Sequence, residues 1–344
     1  MSAAIQSAQS LQPAPLAAAA QLAALLRAAA IAPLDDIGWL RVTGPDRLRW
    51  LNGMVTNSIA QLAPGEGCYN FALNAQGHIQ ADLTAFLHED SILLETSRDQ
   101  IEKLLAHLNR FIIMDEVELA DITAQRSGLL VAGPDAGRLL AAIVLSSAPL
   151  APLQLTHLTW RAAAVDLLHA HSPLVPKFEI WTDSSTFDSI AHELRNAGAL
   201  EVDSAALEDL RILEGTPRVG TDIRDKDLPQ ETGQTRALHF TKGCYLGQEI
   251  VERIHSRGGV HRAFSGLALT GVLPAPGTQL EAEAKPVGEL TSVASIHLPD
   301  QPVPMQLALG IIRREALENA RTRNLTLTYP GGTATPIALP YAVP

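Results

Sequence analysis

The densest chemistry in this chain lies at Lys242-Gly243-Cys244-Tyr245-Leu246-Gly247-Gln248-Glu249. Gly243 and Gly247 can take positive φ or let another group come close to the backbone. That spacing predicts a short loop presenting Cys244 and Tyr245 outward. An ammonium at Lys242, two residues before the thiol, would favour thiolate. A lone cysteine is more often buried and structural, but glycines, a lysine and a polar helix start around it point to a reactive one. The helix expected at 248–257 is well formed on its own terms. Glu249 and Glu252 sit in its first turn, His255 and Arg257 in its last, matching the helix dipole. Glu249 and Arg253 are spaced to pair, and Gly258-Gly259 ends the helix. Glu252 therefore needs no role beyond the helix.

The loop sits in an unusual stretch of charge. Residues 211–262 carry nine of the 26 Lys and Arg, including Arg211, Arg218, Arg224 and Arg236, against seven acids. The segment is net positive in a chain of net charge −11. A basic, glycine-rich segment in an acidic protein suits capture of a carboxylate or phosphate. The overall acidity argues against a general nucleic-acid or anionic-membrane surface. Two cysteines in 344 residues make no disulfide framework and fit a reducing cytoplasm. Neither a CxxC nor an HExxH occurs, so no dedicated metal site is expected.

The elements that must position this loop follow from hydrophobic period. Residues 1–33 are Ala-rich with one charge, Arg27. The apolar run 16–32 is short, mostly Ala and interrupted, below what a membrane span needs. A tail followed by a packed helix at about 16–30 is expected. Strands are expected at 37–44, 67–74, 79–87, 91–97, 117–123 and 128–132, with helices from Pro45 and over 99–112. A Ser/Pro/Ala-rich linker at 146–153 precedes strands at 157–168 and 177–182 and helices at 185–197, capped by Ser184 or Ser185, and 204–214. After 263, short apolar runs between Gly, Pro and Thr predict a small β-barrel.

The octapeptide with Arg253 behind it resembles the signature of the YgfZ folate-binding family, relatives of the glycine-cleavage T-protein (an aminomethyltransferase). Further likeness comes from Leu40-Arg41-Val42 with Gly44 and Asp46, from Leu51, Gly53 and Thr56, and from Gly77-His78-Ile79 through Asp82-Leu83. Arg211-Ile212 with Gly215, Pro217-Arg218, Gly220 and Asp222, then Leu228-Pro229-Gln230-Glu231, leads to the cysteine loop, and Gly310-Ile311-Ile312-Arg313-Arg314 resembles a barrel motif. The resemblance covers about 34–315.

It implies an α+β fold of two interleaved lobes plus a C-terminal β-barrel around a central opening. The units would be a tail and helix at 1–33, a folate-binding body at 34–145 with 205–262, a second lobe at 146–204 and a barrel at 263–344. It implies tetrahydrofolate or a derivative as ligand, with Glu214, Asp82, Arg218 and Arg313 at its site. Cys244 would act on iron–sulfur proteins or their assembly machinery, aided by Lys242, Tyr245, Gln248 and Arg253. T-proteins carry two adjacent hairpin acids where this chain has Ala81-Asp82, and they lack the cysteine. The expected function is thus a cytoplasmic, tetrahydrofolate-binding accessory factor for iron–sulfur cluster assembly or repair, with no membrane association and no direct tRNA binding. The alternative is a folate-dependent aminomethyl or methyl transferase.

Overall fold

The structure, a computed structural model, describes residues 17–145, 149–323 and 325–343. The expected tail and residues 146–148 of the expected linker lie outside them. Helix α1 (Ala18–Arg27) and strand β1 (Ala30–Pro33) come first, then β2 (Ile37–Thr43), α2 (Arg47–Met54), β3 (Gly67–Leu73), β4 (Ile79–Leu87), β5 (Ile92–Ser97), α3 (Ile101–Asn109) and β6 (Glu118–Asp121). The next group is β7 (Ser127–Ala132), α4 (Ala136–Ala142), β8 (Leu155–Trp160), β9 (Ala163–His169), β10 (Lys177–Thr182), α5 (Ser184–Asn196), β11 (Leu200–Glu201), α6 (Ser204–Glu214) and α7 (Gln248–Arg257). The chain ends with β12 (Arg262–Gly271), β13 (Gln279–Ala282), β14 (Lys285–Ile296), β15 (Met305–Arg313), α8 (Arg314–Thr322), β16 (Leu327–Tyr329) and β17 (Gly332–Ile337).

These strands form a five-stranded sheet β3-β4-β5-β2-β6, a six-stranded sheet β11-β1-β7-β10-β9-β8, and a closed barrel β12-β15-β14-β13-β16-β17. The fold is therefore α+β with a C-terminal barrel. Alternation sends the β2 side chains to opposite faces of the first sheet: Leu40 and Val42 pack with Leu51 of α2 and Leu104 of α3, Trp39 packs in the cluster shared with the second sheet, and Arg41 is exposed. The two sheets meet through aromatic edges. Trp181 of β10 packs edge-on to Trp39 at 5.8 Å and to Phe86 at 5.4 Å between ring centres. One apolar cluster joins Leu22 and Leu25 of α1, these aromatics, and Ile296, Leu307 and Leu309 of the barrel.

Several elements differ from expectation. The N-terminal helix stops at Arg27, and Ala30–Pro33 pairs with β7 and β11 as an interior strand. β7 and α4, expected with the first lobe, belong to the second sheet and its core. The single strand expected at 157–168 is a hairpin turned by Arg161 and Ala162, both at positive φ without glycine to announce it. α5 is capped by Asp183, whose carboxylate accepts from Thr186 N, rather than by a serine.

Candidate functional site

The cysteine loop is held by the first sheet. Leu246 N donates to Gly53 O at 3.0 Å, at the end of α2. Thr56 Oγ1 donates to Ala237 O at 2.6 Å and accepts from Phe71 N, so one hydroxyl ties the approach of the loop to β3. Asn57 Nδ2 donates to Arg236 O at 2.8 Å. The β3–β4 turn supports the other end. A Cβ on Gly247 (φ +83°) would lie 2.6 Å from Asn74 O, and one on Gly77 would strike Ile250. Both glycines are needed for this backbone contact.

The signature residues then divide. Cys244 is exposed and unbonded to any other cysteine. Lys242 turns inward, away from its expected part as activator of that thiol. Its Nζ donates to Val55 O at 2.7 Å and to Asn57 O, and lies over the Tyr245 ring at 5.3 Å. Burial pulls its pKa down to about 8, and the thiol it senses is Cys68. Tyr245, expected to point outward, is buried because its ring completes an apolar cluster with Phe71, Leu73, Val219 and Val251. Among the described residues its hydroxyl has no partner, and burial raises its pKa, with the Glu252 charge adding to the shift. Glu252 Oε1 is likewise buried and has no partner among the described residues. Gln248 Oε1 accepts from Tyr245 N at 3.3 Å, bracing the loop. Arg253 pairs with Glu249 at 2.8 Å on the outer face of α7.

A cavity of about 850 Å³ opens where the two sheets and α6 meet. Asp82, Glu214 and Arg218 all line it, although they are far apart in sequence. Asp82 Oδ2 accepts from Tyr69 OH at 2.8 Å, and burial raises its pKa. Glu214 accepts from Ser172 Oγ. Burial raises its pKa too, against the pull of Lys177, Ser172 and Arg236. Arg218 is half-committed to Glu208 at 3.1 Å. Arg313 is not in this group. It lines a separate pocket of about 250 Å³ with Arg224, Lys226 and Glu289, at the end of β15 where it stands opposite Arg262.

Residues that sequence reading passed over complete the cavity. Glu95, Lys177 and Glu179 share its wall. Burial, reinforced by the charge of Glu179, raises the Glu95 pKa well above the ordinary value. Burial opposes the charge of Lys177, but Glu179, Glu214, Glu95 and Asp36 outweigh it and raise its pKa. Arg236 and His171 line an adjoining pocket of about 300 Å³ that shares Glu214. The Arg236 guanidinium stacks on Tyr69 at 4.0 Å. Burial, then Arg236 and Lys177, lowers His171 to about 4, so it is neutral at pH 7. Charged residues at inward strand positions, Glu95 and Glu179 above all, were the available signal, since a buried charge needs partners.

A sequence profile described as the GCVT N-terminal domain matches residues 11–242, well over half of the chain. The chain belongs to this family. Among its relatives is the tRNA-modifying protein YgfZ of Escherichia coli, 30% identical over 80% of this chain and 84% of that protein. A chloroplastic protein of Arabidopsis thaliana that carries a transferase name is 26% identical over 76% of this chain. This GCVT-domain protein spans 61% of the length of that Arabidopsis relative. The glycine cleavage system aminomethyltransferase T from Bartonella henselae superposes with a TM-score of 0.82 over 95% of this chain and 90% of that one, at 20% identity. That likeness establishes the shared fold. No described helix is long and apolar enough to cross a membrane.

Proposed function

We propose that this GCVT-domain protein binds a reduced folate in the central cavity and serves iron–sulfur proteins in the cytoplasm through Cys244. The observation that supports it most is the convergence of Asp82 and Glu214, from two distant stretches, on one cavity of about 850 Å³. That volume falls in the range of small-molecule sites. The side chains also fit the ligand. Carboxylates at Glu214 and Asp82 can accept the amino and ring N–H groups of a pterin. Arg218 and Arg236 offer cations to an anionic tail. When bound, tetrahydrofolate would supply a one-carbon carrier or a reductant. Around it, Glu214 and Asp82 orient the ring, Lys177 balances the carboxylates, and Tyr69 holds Asp82 in place. The exposed Cys244 thiol is the group left free to exchange with a client's cluster or thiol.

A second reading is a folate-dependent aminomethyl or methyl transferase, favoured by the aminomethyltransferase fold. The hairpin weighs against it. Asp82 faces the cavity, while Ala81 is fully buried opposite Ala72, so β4 presents a single acid there.

Complementation tests the main reading. A host lacking its own cluster-repair factor receives the wild-type or the Cys244→Ala chain. Iron–sulfur enzyme activity is assayed, together with modified tRNA nucleosides, since the E. coli relative is named for tRNA modification. Wild type should restore both and Cys244→Ala neither. Full rescue by Cys244→Ala would make the thiol incidental.

A further inference from the structure

Several arginines of this acidic chain are committed to carboxylates: Arg211 to Asp222, Arg224 to Glu289, Arg262 to Glu231. Arg257, Arg313 and Arg314 are not. All three are exposed and, among the described residues, make no side-chain hydrogen bond or ion pair. The fold collects them. α7 ends at Arg257, and Gly258 and Gly259 then turn the chain at φ +99° and +108°. The Arg314 guanidinium lies against Gly259, where a Cβ would come within 2.8 Å of it. Arg314 N donates to His261 O at 2.9 Å, and Arg313 stands opposite Arg262 in the β12–β15 ladder. Residues 250–264 and 310–314 thus bring five arginines together; Arg253 and Arg262 are paired with Glu249, Asp227 and Glu231, which leaves Arg257, Arg313 and Arg314 uncommitted in a chain whose net charge is −11. Glu315 of α8 borders the patch.

Holding unpaired like charges together costs stability unless something outside the chain uses them. The patch also has a direction. It lies at the C-terminal end of α7, and the loop bearing Cys244 enters the N-terminal end of the same helix. Ten residues of helix separate them by about 15 Å. A standard protein–protein interface of about 800 Å² per side covers both.

We propose that Arg257, Arg313 and Arg314 form a docking surface for a compact acidic protein, steering it onto Cys244. This rests on reading Cys244 as the reactive group. Two observations favour an acidic protein over a nucleic acid. No Phe, Tyr or Trp of these stretches is exposed for base stacking. A long polyanion would also run beyond the patch onto an acidic surface, whereas screening confines a compact partner's attraction to about 8 Å.

The test uses two cysteine peptides, one rich in glutamate and one neutral, each activated as a mixed disulfide with thionitrobenzoate. The Cys244 thiolate attacks the peptide sulfur. The new protein–peptide S–S bond forms as the old one breaks, and its electron pair leaves with thionitrobenzoate, which is followed by absorbance. In low salt the acidic peptide should react about tenfold faster than the neutral one, and 0.5 M salt should erase the difference, about the Debye length of that solution being only a few ångström. R257Q and R314Q together should abolish the preference and leave the neutral rate unchanged. Equal rates for both peptides in wild type would overturn the proposal, as would a preference that survives R257Q/R314Q. So would bulk tRNA binding through these arginines without any acidic-peptide preference. If neither peptide reacts, the reading of Cys244 fails first.

Discussion

The cysteine loop and the central cavity treat their polar side chains in opposite ways. In the loop, the residues that look catalytic are mostly braces. Lys242 spans two carbonyls, Gln248 bonds the loop backbone and Tyr245 fills a core, which leaves Cys244 as the exposed group. In the cavity, residues without any motif crowd together: burial and the charge of Glu179 raise the Glu95 pKa, burial of Lys177 is outweighed by the carboxylates around it, and burial lowers His171. The loop fixes its other polar side chains by hydrogen bonds to backbone and leaves one thiol exposed. The cavity keeps several ionisable groups facing one space.

Breaking the loop's main brace should have the largest effect on the protein. Lys242→Ala removes the donor to Val55 O and Asn57 O, leaving two carbonyls short of a partner. Chemical denaturation should show a loss of about 3 kcal/mol. A loss under ~0.5 kcal/mol would return Lys242 to the part of an activator. On the cavity side, Glu214→Ala should weaken binding of tetrahydrofolate, measured by calorimetry, by about 2 kcal/mol, the cost of one lost charged hydrogen bond. Unchanged affinity would remove Glu214 from the ligand site.

A smaller effect sharpens the electrostatic half of the comparison. Glu95 keeps its proton to higher pH in the folded chain than in the unfolded one. Between those values the folded state binds more protons, so stability falls as pH rises above the ordinary glutamate range. Glu95→Gln mimics the protonated form. It should flatten that fall and stabilise the protein at pH 7 to 8 by about 1 kcal/mol, as read from melts across pH. A destabilised Gln variant with an unaltered slope would contradict the shift. The smallest change in stability is expected at Cys244. Cys244→Ala should alter the unfolding free energy by less than ~0.5 kcal/mol, as for other exposed positions. Iodoacetamide should modify Cys244 well before Cys68, which is buried in β3 and whose pKa burial raises. Cys68 reacting first would invert the assignment.

Much of this was legible in the residues themselves. The alternation of β2 and the hairpin at 67–87, the Gly258 stop of α7 and the barrel after 263 follow from local period and turn chemistry. The resemblance of their surroundings put Asp82 and Glu214 forward together, and both line the central cavity. The β8–β9 hairpin was hidden because its turn is Arg161-Ala162, and α8 because it follows β15 without a break.

By itself, the sequence determined which short segments are helices and strands, and that one cysteine sits between glycines. Those are local properties, set by side-chain period and backbone freedom. Tertiary structure decided where each charge points. Lys242 lies two residues from Cys244 in the chain, yet a turn of backbone sends its amine to Val55 and Asn57. Arg313 was separated from Glu214 by the course of one barrel strand, while Glu95 and Glu179 were brought to one cavity by the packing of two sheets. Burial and the net field at an ionisable group depend on everything folded around it, and neighbours in sequence are a small part of that environment.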